Sequence, residues 1–336
     1  MQEKDYHFFQ FDKEKVIEEI GKDKLIEALK EMLLIRNFEE RSESAYQMGK
    51  IGGFLHLYIG QEAIQVGSVL AMGKNHWYTT TYRCHALALL LGASPNELMA
   101  ELYGKETGNS LGRGGSMHFF TDHMLGGFAI VGGHIPVATG AGFTIKYKEK
   151  KNKASICYFG DGAVAQGSFH EALNLASLWD LPVIYVIENN HWGMGTATKR
   201  AICTELIAEK KAPGYNMEAY TLDGFDFFSC YAGFKEILKK VTKTSRPVLV
   251  EILVDRFKGH SVSDPGLYRS KENLEEAKKR DPILLLKNTL LEKKMITEDF
   301  FIELNDSQKK IVKESMDFAE KSDFPKISEL EKGVFK

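Results

Sequence analysis

Residues 154–190 read ASICYFGDGAVAQGSFHEALNLASLWDLPVIYVIENN, and this stretch decides the fold. Ala154 to Phe159 is a short apolar run ending in Gly160-Asp161-Gly162, the pattern of a buried strand closed by a turn. From Ser168 to Trp179, the residues Phe169, Ala172, Leu173, Leu175, Ala176 and Trp179 recur at helical spacing. Pro182 then introduces a second apolar run, Val183 to Ile187, closed by Glu188-Asn189-Asn190. Strand, helix and strand in this order form a βαβ unit, which requires parallel strands and a right-handed crossover.

Downstream, two further strand candidates, Ala219 to Leu222 and Pro247 to Val254, flank a helix around Phe227 to Val241. Upstream, Leu25, Ile26, Leu29, Met32, Leu33 and Phe38 mark a long helix from about Asp23 to Gly49. Ser94-Pro95-Asn96-Glu97 is a complete capping box with proline at the first helical position. Between Tyr103 and Gly142 glycines crowd together, which predicts loops whose backbone comes close to a ligand or to another chain. The predicted architecture is a doubly wound α/β sheet. Helices precede it (1–50), the α/β domain occupies 51–270, and a charged helical tail follows (271–336).

Composition narrows the function. Of 336 residues, 44 are basic and 46 acidic, a net charge of −2, so the phosphate-neutralising excess of a general nucleic-acid binder is missing. No apolar run approaches the roughly 18 residues of a membrane span. Cys84, Cys157, Cys203 and Cys230 lie far apart, as suits a reducing compartment rather than a disulfide framework. The N-terminus, Met-Gln-Glu-Lys-Asp-Tyr-His, has neither an apolar signal core nor an acid-poor presequence, and a cytoplasmic location is expected.

In an open parallel sheet, ligands bind outside the carboxyl ends of the strands. Asp161 follows the first strand of the βαβ unit and Asn190 the second. If those strands are neighbours, a carboxylate and an amide oxygen converge on one hard cation, magnesium or calcium. The next helix offers free N–H groups to a diphosphate. The plainer alternative is an Asp-Gly turn and an unrelated Asn-Asn loop. His170-Glu171-Ala172-Leu173-Asn174 lacks the second histidine of a zinc-protease helix, and no phosphate loop, dinucleotide fingerprint or nucleophile elbow is present.

Gly-Asp-Gly followed by Asn-Asn, at this spacing, resembles the thiamine-diphosphate motif. Phe54 to Ala63, Thr81 to His85, Gly112 to His118, Ile130 to Gly132 and Gly259 to Gly266 extend the likeness over nearly the whole chain. Together they resemble the alpha subunits of thiamine-diphosphate-dependent 2-oxo acid dehydrogenases, most of all those of the pyruvate-specific first component. The resemblance implies a thiamine-diphosphate-binding fold in which Asp161, Asn190 and the Trp192 carbonyl hold Mg2+. Tyr82 and Arg83 would meet the diphosphate, with backbone contacts from Gly162 and Ala163. Main-chain groups of Ala129 and Val131 would orient the aminopyrimidine ring. The family usually has glycine at 129 and tyrosine at 192, but both contacts run through backbone. His56 would line the substrate funnel, and His260 would lie on a loop over the diphosphate. Roles for His85 and His118 are less defined by the motifs.

The implied reaction is oxidative decarboxylation of pyruvate, with acetyl transfer to the lipoyl domain of a dihydrolipoamide acetyltransferase. The acid beside the coenzyme's pyrimidine would come from a beta subunit in an α2β2 assembly. Branched-chain 2-oxo acid and acetoin dehydrogenase subunits are the alternatives. Gly160-Asp161-Gly162 and the Ser261-to-Pro265 run favour pyruvate over both. A catalytically silent scaffold would have no need for Tyr82, Arg83, Asp161, Asn190 and His260.

Overall fold

The computed structural model describes residues 6–149 and 152–332; the first five residues, part of the N-terminal reading, lie outside the described residues. The strands are β1 (Trp77–Thr81), β2 (Met124–Phe128), β3 (Ser155–Gly160), β4 (Val183–Asn189), β5 (Trp192–Gly193), β6 (Thr196–Ala197), β7 (Glu218–Asp223) and β8 (Val248–Leu253). Six form one sheet in the order β2-β1-β3-β4-β8-β7, and every pairing in it is parallel. β5 and β6 form a separate antiparallel hairpin.

Both faces of the sheet are covered, so its central strands are buried throughout. All seven residues of β4 are buried. Alternation then sorts side chains between two layers. Ile156, Tyr158, Ile184 and Val186 pack with helices Lys22–Gln47, Glu62–Met72 and Phe227–Thr244. Cys157, Phe159, Tyr185 and Ile187 pack on the opposite face, with helices Ile135–Thr144 and Gly167–Leu178. The tail forms helices Lys271–Lys279, Pro282–Glu292 and Glu298–Lys321, as its charge pattern predicted. The first face also takes in that tail, through Leu286, Leu290 and Val312. Arg36 of the long N-terminal helix ties this layer together, donating to Glu62 at 2.6 Å and to Asp281 at 2.8 Å.

The βαβ unit, the later strands, the long helix and the capping box of helix Pro95–Leu102 agree with the sequence reading to within a few residues. Two strands of the six-stranded sheet escaped it, as did the short hairpin strands β5 and β6. β1 is Trp-Tyr-Thr-Thr-Thr, whose Thr79 and Thr80 are fully buried although the run reads as polar. β2 contains Gly126-Gly127 inside the segment expected to be loop; a Cβ on Gly127 would stand 2.6 Å from Cys84 Sγ.

The glycines from Gly108 to Gly115 serve an internal purpose. Glu101, fully buried on helix Pro95–Leu102, accepts N–H bonds from Ser110, Gly112, Gly114 and Gly115 at 2.7–3.0 Å. A Cβ on Gly108 would lie 2.4 Å from its Oε2. The backbone there approaches this carboxylate. Among the described residues, no helix is long and apolar enough to cross a membrane.

Candidate active site

Strand order reverses between β1 and β3, since β1 leads outward to β2 while β3 leads to β4 on its other side. Such a switch point opens a crevice at the carboxyl ends of the strands. A cavity of about 660 Å³ lies there, and it gathers every predicted site residue. Tyr82 and Arg83 follow β1, and Ala129 and Val131 follow β2. Asp161, Gly162 and Ala163 form the turn after β3, and Asn190 and Trp192 follow β4. His56 and His260 enter from loops. His85 and His118 do not line it. His85 is buried between Glu39 at 2.8 Å and Ser116 Oγ at 2.9 Å, and His118 Nδ1 lies 3.1 Å from the Gly127 carbonyl.

Asp161 and Asn190 stand on adjacent strand tips, with Gly160 paired to Glu188 in the parallel ladder. Both are buried. Burial pushes the Asp161 carboxyl up from its ordinary range; the Thr198 hydroxyl, donating to Oδ2 at 2.5 Å, opposes this. Asn190 Nδ2 donates to Gln61 Oε1 at 3.5 Å, while Asn190 Oδ1 is buried without a partner. A buried acceptor left unmet beside a buried carboxylate fits a hard cation between them. Among the described residues, no cluster of three or more His, Cys, Asp or Glu is spaced for a metal, so a cation here would need amide and carbonyl oxygens too.

Arg83 is buried, and in this conformation its guanidinium donates to the carbonyls of Leu57 and, at 2.9 Å, His260. Burial and the neighbouring Arg256 push it down to about 10, which leaves it cationic at neutral pH. It joins the sheet to the 259–268 loop. Asp264 closes that loop, accepting from the His260 N–H at 2.7 Å, the Gly266 N–H at 2.9 Å and the Tyr268 hydroxyl at 2.6 Å. His56, Tyr82 and His260 cluster at the mouth, with ring centroids 4.3–5.5 Å apart. Burial and the Arg83 charge push His56 down to about 2 and His260 to about 4, so both rings are neutral at pH 7.

Several cavity residues escaped the sequence reading. Glu188, paired to Gly160 in the ladder and lining the cavity, is pushed up to about 7 by burial and accepts from the Tyr58 hydroxyl. Its place two residues before Asn190, on the same face of β4, was the available signal. Gln61 had a weaker one, its position inside the Phe54-to-Ala63 motif. Thr198, which bonds Asp161 from outside the cavity lining, had none, because only the hairpin brings it there.

His134 was also missed. It caps helix Ile135–Thr144, lines the cavity and donates from Nε2 to the Tyr158 carbonyl at 2.7 Å. Burial pushes it down to about 4, below the 6.5 of a free histidine. Between those values the unfolded chain binds a proton that the folded chain does not, so stability falls as pH falls through the window. Replacing His134 with glutamine, which keeps a donor, is expected to flatten the pH dependence of urea unfolding. Between about pH 6 and 4.5 the slope should drop by about 1.4 kcal/mol per pH unit. An unchanged slope would show that His134 is protonated in the folded state.

Residues 30–328 match the family model described as dehydrogenase E1 component. The chain is 43% identical over 318 residues to the pyruvate dehydrogenase E1 component subunit alpha of Rickettsia conorii, covering 94% of this chain and 96% of that protein. The Rhizobium meliloti protein of the same name is 41% identical over 317 residues, covering 94% and 90%. A chloroplastic rice relative, pyruvate dehydrogenase E1 component subunit alpha-3, is 39% identical over 329 residues, covering 94% and 76%. With the switch-point cavity and this agreement along almost its whole length, the chain belongs to the dehydrogenase E1 component family.

Proposed function

We propose that this chain is the alpha subunit of a pyruvate dehydrogenase first component, using thiamine diphosphate and Mg2+. The carrying observation is the pair formed by Asp161 and the unpartnered Asn190 Oδ1 at the switch point. In this reading Asp161, Asn190 and the Trp192 carbonyl hold Mg2+. Tyr82 and Arg83 meet the diphosphate with the backbone of Gly162 and Ala163, and Ala129 and Val131 orient the pyrimidine through main-chain atoms. The bound coenzyme supplies the electron sink that decarboxylation of a 2-oxo acid requires. The chain's own side chains bind and orient. Neutral His56 and His260 would orient the substrate carboxylate by donating ring N–H groups to it, and Phe54, Phe128 and Met117 give the cavity an apolar lining. Residues 1–50, 51–270 and 271–336 form the proposed divisions.

The carboxylates lining the cavity are Asp161 and Glu188, engaged by Thr198 and Tyr58. Neither is free to serve as the acid that activates the coenzyme, which supports a site completed by a beta subunit in an α2β2 assembly. Ile130 is 75% exposed at the cavity rim. Val137, Phe143, Leu178 and Trp179 are also exposed on and beside the two helices next to it, as suits a buried interface. Acetyl transfer to a lipoyl domain and a cytoplasmic location complete the reading; Cys84, Cys157 and Cys230 are buried free thiols.

Purified alone with thiamine diphosphate and Mg2+, the chain should not turn over pyruvate. Co-purified with its partner, it should prefer pyruvate to branched 2-oxo acids and acetoin. Robust turnover by the lone chain would refute the shared site, and a preference for either rival substrate would reassign the enzyme.

A further inference from the structure

Side chains alternate along β4, so Glu188 and Asn190 face the cavity while Asn189 faces away from it. Asn189 is nonetheless held at its side-chain amide nitrogen, its side-chain oxygen and its carbonyl. Its Nδ2 donates to Glu251 Oε1 at 2.7 Å, its Oδ1 accepts the His191 N–H at 3.0 Å, and its carbonyl accepts the Val254 N–H at 3.1 Å. His191 has φ of +67°, a left-handed conformation that costs energy in a residue with a Cβ. The Asn189 side chain, bonded two residues on, offsets that cost in the manner of an Asx turn. The turn lies between Asn190 and Trp192, where the β5–β6 hairpin begins.

Glu251 is fully buried on β8, beside β4, and its second oxygen accepts the Ala208 N–H at 2.9 Å. Neither Glu251 nor Asn189 lines the cavity. A buried carboxylate has a desolvation cost, and here one oxygen serves the Asn189 amide at the turn while the other serves the Ala208 N–H of helix Ile207–Lys211.

We propose that Glu251 is a positioning residue: by holding the Asn189 amide, it sets the left-handed turn at His191 that presents Asn190 Oδ1 and the Trp192 carbonyl to a divalent cation. This rests on the cation–diphosphate reading of the cavity. Outer partners of metal ligands typically contribute ten- to a hundredfold to metal affinity.

The test is a calorimetric titration of Mg2+ into the complex of the full chain with its partner, at fixed thiamine diphosphate. Thermal unfolding is measured in parallel. Glu251→Gln cannot accept from both Asn189 and Ala208 without turning an NH2 group on a donor. Its apparent Mg2+ affinity should fall about 10–100-fold. The exchange Asn189→Asp with Glu251→Gln restores the pattern, because the new amide donates to the new carboxylate and still accepts from Ala208. Mg2+ affinity should return to near the parent value.

Parent-like affinity in a folded Glu251→Gln chain would overturn the proposal. So would an exchange variant that regains the parent's thermal midpoint while its Mg2+ affinity stays low, since that outcome describes stability alone. If Glu251→Gln does not fold, the exchange variant decides. Asp161→Ala in the same titration separates the levels. If it loses Mg2+-dependent binding while Glu251→Gln does not, only the positioning role fails. If it too binds normally, the cavity reading fails.

Discussion

Asp161→Ala is expected to reduce Mg2+-dependent binding of thiamine diphosphate at least about a hundredfold, about 2.7 kcal/mol. The substitution removes the one charged oxygen donor proposed for the cation, from a buried position where charge is poorly screened. Asp161→Asn keeps an oxygen but loses the charge, and its loss should be intermediate. Stability should move the other way or not at all. Burial raises the Asp161 carboxyl, so without a cation the carboxylate is held against its own solvation, and alanine relieves that. Calorimetry of the assembled protein and thermal unfolding without ligand give the two readouts. Unchanged affinity would sink the proposed site, and simultaneous loss of fold would make Asp161 a structural residue.

The largest effect on folding is expected at Glu101. Its Oε2 accepts from Ser110 at 2.7 Å and Gly112 at 2.8 Å, and its Oε1 from Gly114 at 2.7 Å and Gly115 at 3.0 Å. Glu101→Ala leaves four part-buried N–H groups without this acceptor. At about 1–3 kcal/mol for each unmet group, the cost should be about 4 kcal/mol or more, comparable with the stability of many domains. Glu101→Gln turns donors toward two of the four and should lose about half as much. Urea unfolding measures the cost, and hydrogen exchange at those four amides shows whether the loop opens first. The loop leads into Ser116 and Met117, and Met117 lines the cavity, so loosening it should also weaken coenzyme binding. A loss under about 1 kcal/mol would mean that water replaces the carboxylate without difficulty.

Legibility followed the range of the interactions. Helix Lys22–Gln47 and the capping box at Ser94 are local patterns, and so is the βαβ unit, where apolar periodicity and turn residues coincide. β1 was hidden because its threonines are buried by neighbours distant in sequence. Thr79 Oγ1 donates to the Ile156 carbonyl on β3, a bond no local pattern announces. β2 was hidden because its glycines suit close packing against Cys84 while reading as loop. The glycine-rich segment was recognised as backbone in close approach; at Gly112, Gly114 and Gly115 the group approached is Glu101, while Gly132 lines the cavity.

The sequence by itself determined the strands and helices around Asp161 and Asn190, the chemical types at the site, and the family likeness. These depend on spacing and residue type, which a linear chain carries openly. Only the tertiary structure decided that β3 and β4 are neighbours, that Thr198 bonds Asp161 and Gln61 bonds Asn190, and that His56, Tyr82 and His260 share one mouth. Those contacts join segments far apart in the chain. They exist because sheet order and two-sided burial leave each segment one place to pack.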